Sequence, residues 1–249
     1  MTHKSKFTRI SKFLSSVKKD ESGLALVEFA VSLPFFMGLT IGGVEVANFA
    51  SINMQLNQIA IHTADSAARM GEGNALSEKR IRELDVMDVF EGTLREGDRI
   101  ALSGNHTYID PITKVPSIRG NARIILSSVE EVADFDDDDP EYRIRWQRCS
   151  GTATRYVSTY GHVGDTFDEG IGPDLRKVTP PPEGALMFVE LHYFFRPMIL
   201  NGFTKLTDRD ITQIASMVVR DKRDYAGPSG GEGIYSSTGV TPDKCLGTV

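Results

Sequence analysis

Apolar residues run almost without interruption from Leu24 to Val44, and no charged residue lies between Glu28 and Glu45. This stretch approaches the ~20 residues needed to cross a bilayer. From Phe49 onward the pattern changes period. Phe49, Ile52, Leu56, Ile59, Thr63, Ala67 and Met70 recur every three or four positions. Asn48, Asn53, Asn57, Asp65 and Arg69 fall largely between them, as in an amphipathic helix. Neither Pro nor Gly separates the two regimes, and Gly71 and Gly73 close the second. The pattern predicts one helix from about Leu24 to Met70, roughly 70 Å long at ~1.5 Å per residue. Pro34 is expected to bend its first half, and Gly38, Gly42 and Gly43 to allow close helix approach. The rival reading is a secretory signal cut near Val46-Ala47-Asn48-Phe49-Ala50. It explains neither the carboxylate at Glu28 nor the helical pattern beyond the cut.

After Gly73 the periods shorten. Ser77 to Phe90 predicts a short amphipathic helix capped by Ser77, with Ile81, Leu84, Val86 or Met87, and Phe90 inward. Strand candidates are 99–102, 123–129, 142–149, 185–195 and 213–219. In the third of these, Ile144, Trp146 and Arg148 are expected on one face and Arg145, Gln147 and Cys149 on the other. The segment 211–220 fits a helical period equally well. Few helical crossovers separate the strands, so the sheet is expected to be mainly antiparallel. The stretch 224–249, rich in Gly, Ser, Thr and Pro, reads as a loop tied down at Cys245.

Charge changes the picture at the start of the chain. The first 22 residues carry six basic side chains against Asp20 and Glu21, a net +4. The whole chain is −6, leaving about −10 for the rest. A basic head before an apolar span is the positive-inside pattern, so residues 1–23 are expected in the cytoplasm and the remainder across the membrane. No concentrated basic face suggests nucleic acid as a partner. The only two cysteines, Cys149 and Cys245, lie beyond the span. In an exported region they read as a disulfide, in a reducing one as two separate buried thiols.

Glu28 sits five residues after Gly23. A charged acid inside a bilayer costs at least ~2.5 kcal/mol unless paired. Cleavage after Gly23 would make Leu24 a cationic terminus, and Glu28 would then suit the terminal amine of a staggered neighbour. The alternative is an interfacial glutamate reaching to headgroups.

The run from Gly23 through Glu28-Phe29 to Phe36 is similar to the processing site of type IVb pilins and pseudopilins of the Tad/Flp system, and more closely resembles the opening of the TadE/TadG-like family. Ala64-Asp65-Ser66-Ala67-Ala68-Arg69 and, more weakly, Val189 to Pro197 extend the likeness. The resemblance implies cutting between Gly23 and Leu24 by a prepilin peptidase on the cytoplasmic side. It further implies subunit contact through Glu28 and Phe29, with other pilins or pseudopilins, the Tad assembly machinery and the inner membrane as partners. Phe29 departs from the Glu-Tyr pair of the fibre-forming pilin, which with the large outer region points to a minor pseudopilin.

Other constellations carry little chemistry. The acidic run from Asp134 to Glu141 reads as a solvated loop; it lacks the alternating ligands and central glycine of a calcium loop. Gly227-Pro228-Ser229-Gly230-Gly231 has no matched histidine and acid to make Ser229 a nucleophile. His3, His62, His106, His162 and His192 lack zinc-ligand spacing. Asn105-His106-Thr107 is a glycosylation sequon only in a suitable secretory pathway.

The resulting expectation is an α+β protein. A basic leader (1–23), a transmembrane helix (24–46) and an amphipathic extension (47–72) precede an exported, pilin-like, mainly antiparallel β domain (73–249). It is expected to have no enzymatic activity, cofactor or metal. The expected role is a minor pseudopilin supporting pilus biogenesis and adhesion, single-pass in a bacterial inner membrane with its C-terminal region periplasmic, and a candidate component of the pilus. The alternative is an envelope binding or sensor domain on an uncleaved anchor.

Overall fold

The computed structural model of the protein describes residues 22–73, 77–110, 112–132, 140–198, 209–228 and 232–245. The basic leader through Glu21, the acidic run Asp134–Asp139 and Ser229 lie outside the described residues. The chain forms two compact units, Met1–Asn48 and Phe49–Val249.

The first helix, α1, runs Ser22–Arg69 and contains Pro34. In the first unit its large apolar side chains from Leu24 to Val46 are exposed, apart from the half-buried Ile41. Its hydroxyls turn back on the helix. Ser32 donates to the Phe29 carbonyl (3.1 Å) and Thr40 to that of Phe36 (2.8 Å), which suits surroundings that offer no water.

The second unit is built on the rest of α1. Leu56, Ile59, Thr63, Ala67 and Met70, the face read from the sequence, are buried. Ala60, Ala64 and Ala68 broaden that face with small side chains that let the helix lie close to its neighbours. Arg69 ends the helix, and Gly71 follows with φ +109°, a left-handed conformation that glycine adopts freely.

Among the described residues, five antiparallel strands form the sheet. They are β3 (Ala122–Glu131), β4 (Tyr142–Ser150), β5 (Thr166–Phe167), β6 (Ala185–Phe195) and β7 (Arg209–Val218), in the spatial order β5-β4-β3-β6-β7. A separate hairpin pairs β1 (Asn105–Ile109) with β2 (Pro116–Gly120). One sheet face sends Ile124, Leu126, Trp146, Met187, Val189 and Leu191 into the core shared with α1 and with Val86 and Phe90 of α2 (Glu83–Glu96). The other face gathers Val129, Ile144, Leu186 and Phe188 under the connection between β4 and β6.

Several expectations are corrected. Residues 99–102 are not a strand: Gly97–Ile100 is a 3₁₀ turn, with Ala101 left-handed after it. The short helix begins at Glu83, not Ser77, because Lys79, Arg80 and Arg82 are drawn into extended bridges with Arg223, Glu72 and Tyr235. Asp85 accepts the Arg82 backbone N–H (2.8 Å) and closes the helix start from inside its first turn. Segment 211–220 resolves as strand up to Val218, because β6 supplies a ten-residue partner for Arg209–Val218. Ile144 and Trp146 lie on opposite faces: a register shift between Ser128 and Val129 leaves Arg145 unpaired, and one extra residue inverts the alternation.

Candidate functional site

The predicted processing bond, Gly23–Leu24, lies in the first turn of α1. A side chain at Gly23 would meet no atom within 4 Å. Leu24 and Phe29 are 62% and 64% exposed, and Glu28 is exposed beside them. The four residues predicted for processing and subunit contact therefore share one accessible stretch of two helical turns. The apolar helix that carries them is long and apolar enough to cross a membrane.

Cys149 and Cys245 form a disulfide across 96 residues. It fastens the C-terminal strap, Glu232–Cys245, near the end of β4. The strap is held along its length, not at Cys245 alone. The Cys149 N–H donates to the Asp243 carbonyl (2.9 Å), and Arg123 pairs with the Asp243 carboxylate (2.7 Å). Tyr235 donates its N–H to the Ile81 carbonyl (2.8 Å) and accepts the Glu83 N–H at its own carbonyl (2.9 Å). Its hydroxyl donates to Asp224.

At the strap's start sits an ionic cluster that the sequence did not announce. Arg148 projects from β4 to Glu83, the first residue of α2, and reaches Glu232 at 3.0 Å; Lys244 closes the chain on Glu232 at 2.8 Å. Burial pulls the Arg148 guanidinium down, but Glu83 and then Glu232 outweigh it and hold the group above its ordinary range. Lys244 first, and Arg148 after it, hold the Glu232 carboxyl below the usual carboxylate range against a smaller burial penalty. The available signal was Arg148 at an alternating position beside Trp146, where an apolar residue was due.

A second buried cation caps α1. Arg223 donates to the carbonyls of Ala67 (3.1 Å) and Ala68 (2.6 Å), two of the acceptors a helix end leaves over. Burial pulls its pKa to about 10. A third polar group, Glu190, is wholly buried under the β4–β6 connection. It accepts the Ser158 hydroxyl and the Thr159 N–H.

Comparison of the chain with family models, with curated proteins and with solved structures returned no match. The reading therefore rests on the residues themselves.

A groove of about 670 Å³ separates the end of α1 from α2. Two charge pairs line it: His62 faces Glu96 (2.7 Å) and Arg69 pairs with Asp65 (2.8 Å). It brings no nucleophile to a base. Among the described residues no three His, Cys, Asp or Glu side chains are placed to hold a metal ion. His106 stacks on Phe194 and His192 on Tyr156, so both rings are held in aromatic contacts. Glu141, the described end of the acidic run, accepts the Val132 N–H at its carbonyl (2.8 Å). What these sites do best is fasten elements together: the disulfide, the Arg148 cluster and the Arg223 cap each join segments far apart in sequence.

Proposed function

We propose that this chain is a minor pseudopilin of a Tad-type pilus system, anchored in a bacterial inner membrane by α1, with Phe49–Val249 on the periplasmic side. The observation that carries this reading is the arrangement Gly23, Leu24, Glu28, Phe29 on an exposed apolar helix with a single acid in its second turn. An acid at that position is costly in lipid when alone. It becomes useful once cleavage after Gly23 places a cationic terminus on a neighbouring subunit. The basic leader supports a cytoplasmic start, and the disulfide supports an oxidising compartment for the outer unit.

Prepilin peptidase is the processing partner, and other pilins or pseudopilins of the Tad machinery are the assembly partners. The protein acts through contacts and carries no catalytic step of its own. Amino-terminal sequencing of the membrane-extracted protein is expected to begin at Leu24. Gly23→Val should block the accompanying mobility shift, whereas Glu28→Leu should be cut normally yet lower piliation at least tenfold. A terminus at Met1 or Thr2 replaces this reading with an envelope binding or sensor domain on an uncleaved anchor.

A further inference from the structure

Among the described residues, the last strand of the sheet has no strand partner on one side. Val219 donates its N–H to the Ala185 carbonyl (2.9 Å), which continues the β6–β7 ladder by one pair. In an antiparallel ladder, alternate residues turn their main-chain groups to the same neighbour. Ile211, Gln213, Ala215 and Met217 therefore face β6. Asp210, Thr212, Ile214, Ser216 and Val218 turn their N–H and C=O groups outward. Among the described residues, none of those five has a main-chain hydrogen bond on that side.

A long regular edge of this kind invites strand addition, and proteins usually blunt it with charge, proline, a bulge or a covering loop. The opposite edge of this sheet is blunted. There β4 carries the bulge at Arg145, meets only two residues of β5, and donates the Cys149 N–H to the strap. Among the described residues, β7 has no bulge and no strap bond, and its charges are confined to its first two residues, Arg209 and Asp210. It pairs with β6 over ten residues without a register shift, and contains no proline or glycine. The stretch 211–219, Ile-Thr-Gln-Ile-Ala-Ser-Met-Val-Val, carries no charge.

The charges that flank this stretch are self-complementary. It is preceded by Asp208-Arg209-Asp210 and followed by Arg220-Asp221-Lys222. We propose that the outer edge of β7 docks β7 of a second copy of this chain, antiparallel and centred on Ala215. In that register Asp210 of each copy lies opposite Arg220 of the other, so the pair occurs twice. Between these ends, Ile211 faces Val219, Thr212 faces Val218, Gln213 faces Met217 and Ile214 faces Ser216. The outward-turned residues meet each other, as the hydrogen-bonded pairs must. Ala215 falls opposite its own copy at a non-hydrogen-bonded position, where side chains approach most closely. Shifting the register by two residues in one direction sets Asp210 opposite Val218. Shifting it in the other sets Arg209 opposite Arg223, a repulsion that offsets the Asp210–Lys222 pairing of that register. Both lose the Asp210–Arg220 match. The contact is isologous, so it closes at two copies and does not propagate into a fibre.

The test uses the full chain in detergent micelles. Both native cysteines are in the disulfide, so a new cysteine is the only free thiol. Ala215→Cys is expected to give a covalent dimer on mild oxidation. Thr212→Cys, which lies opposite Val218, should give at least tenfold less. Ser216→Pro removes an outward N–H while leaving the ladder to β6 intact, and should abolish the Ala215→Cys dimer. Where Ser216→Pro fails to fold, the charges decide: Asp210→Arg should lower cross-linking several-fold, and adding Arg220→Asp should restore it. The proposal is overturned by no dimer at Ala215→Cys, or by equal cross-linking at Thr212→Cys. A dimer indifferent to both Ser216→Pro and the charge swap also overturns it, because the contact then lies elsewhere, as in the apolar helix. Cross-linking in cells to a protein of another mass, without the self-dimer, gives the edge to a different partner and likewise overturns it.

Discussion

Arg148 holds both carboxylate oxygens of Glu83 through its Nε, at 3.1 and 3.0 Å, with the two side chains only 3% and 8% exposed. β4, next to the short edge strand β5, and the first turn of α2 are thus locked by one charged contact inside the protein. Such a pair is weak evidence of net stabilisation, because both groups lose their hydration. It is strong evidence of what happens when one partner goes.

Glu83→Ala leaves Arg148 buried with Glu232 as its remaining charged partner, and should destabilise the protein by about 3–5 kcal/mol. The double variant Glu83→Leu, Arg148→Met removes both charges and fills the space. It should recover most of that loss, since replacing a buried pair with apolar groups is often close to neutral. Urea unfolding of the three proteins checks this. A double variant as unstable as Glu83→Ala would show that the pair itself, not the stranded cation, carries the stability.

The disulfide closes a loop of 96 residues in sequence separation. Cys149→Ala with Cys245→Ala should cost about 2–5 kcal/mol, chiefly by releasing constraint on the unfolded chain. The strap has other attachments: Asp243 to Arg123 and to the Cys149 N–H, and Glu232 to Arg148. The variant should therefore still fold. Its strap should become the first site of limited proteolysis, cut several times faster than in the parent protein. Mass mapping of the earliest fragment settles the point, and a first cut elsewhere would show that the ionic contacts alone hold the strap.

The parts of this fold that were legible in the sequence are those where one physical signal dominates. The apolar run and its three-four continuation fixed α1 to within a residue or two, because lipid-like and core-like faces both write themselves in hydrophobic spacing. β6 was legible from Ala185 to Phe195 because it is central and buried on both faces. The failures are places where partners decide. Lys79 to Arg82 have helical spacing but are taken by Glu72, Arg223 and Tyr235. One unpaired residue at Arg145 inverted the faces of Ile144 and Trp146. The hairpin β1–β2 escaped notice because its apolar residues Ile109, Ile112, Val115 and Ile118 point to no core of their own and are exposed. At the candidate site, Gly23, Glu28 and the cysteine pair were visible as residue types at odds with their surroundings. Glu83, Glu232 and Arg223 were not, because an acid or arginine in a polar stretch announces nothing until the fold buries it.

Acid should loosen the strap before it disturbs the sheet. Glu232 is held below the ordinary carboxylate range by Lys244 and then Arg148. Asp224 is held below it by the Tyr235 hydroxyl first and by the Gly227 N–H further down. A carboxyl whose folded pKa is depressed adds stability above its unfolded value, and that contribution is lost as pH falls through the folded one. Unfolded carboxylates titrate near ~4, so thermal stability should be flat from neutral pH to roughly 5 and decline below it. Glu232→Gln removes one of these groups and should flatten the acid limb while lowering the neutral plateau. Melting temperatures of the two proteins across that range measure both effects. An identical acid slope would show that Glu232 does not link the strap to pH. Because Glu232 touches both Arg148 and Lys244, the same experiment reads the coupling between the β4 cluster and the strap that the disulfide makes permanent.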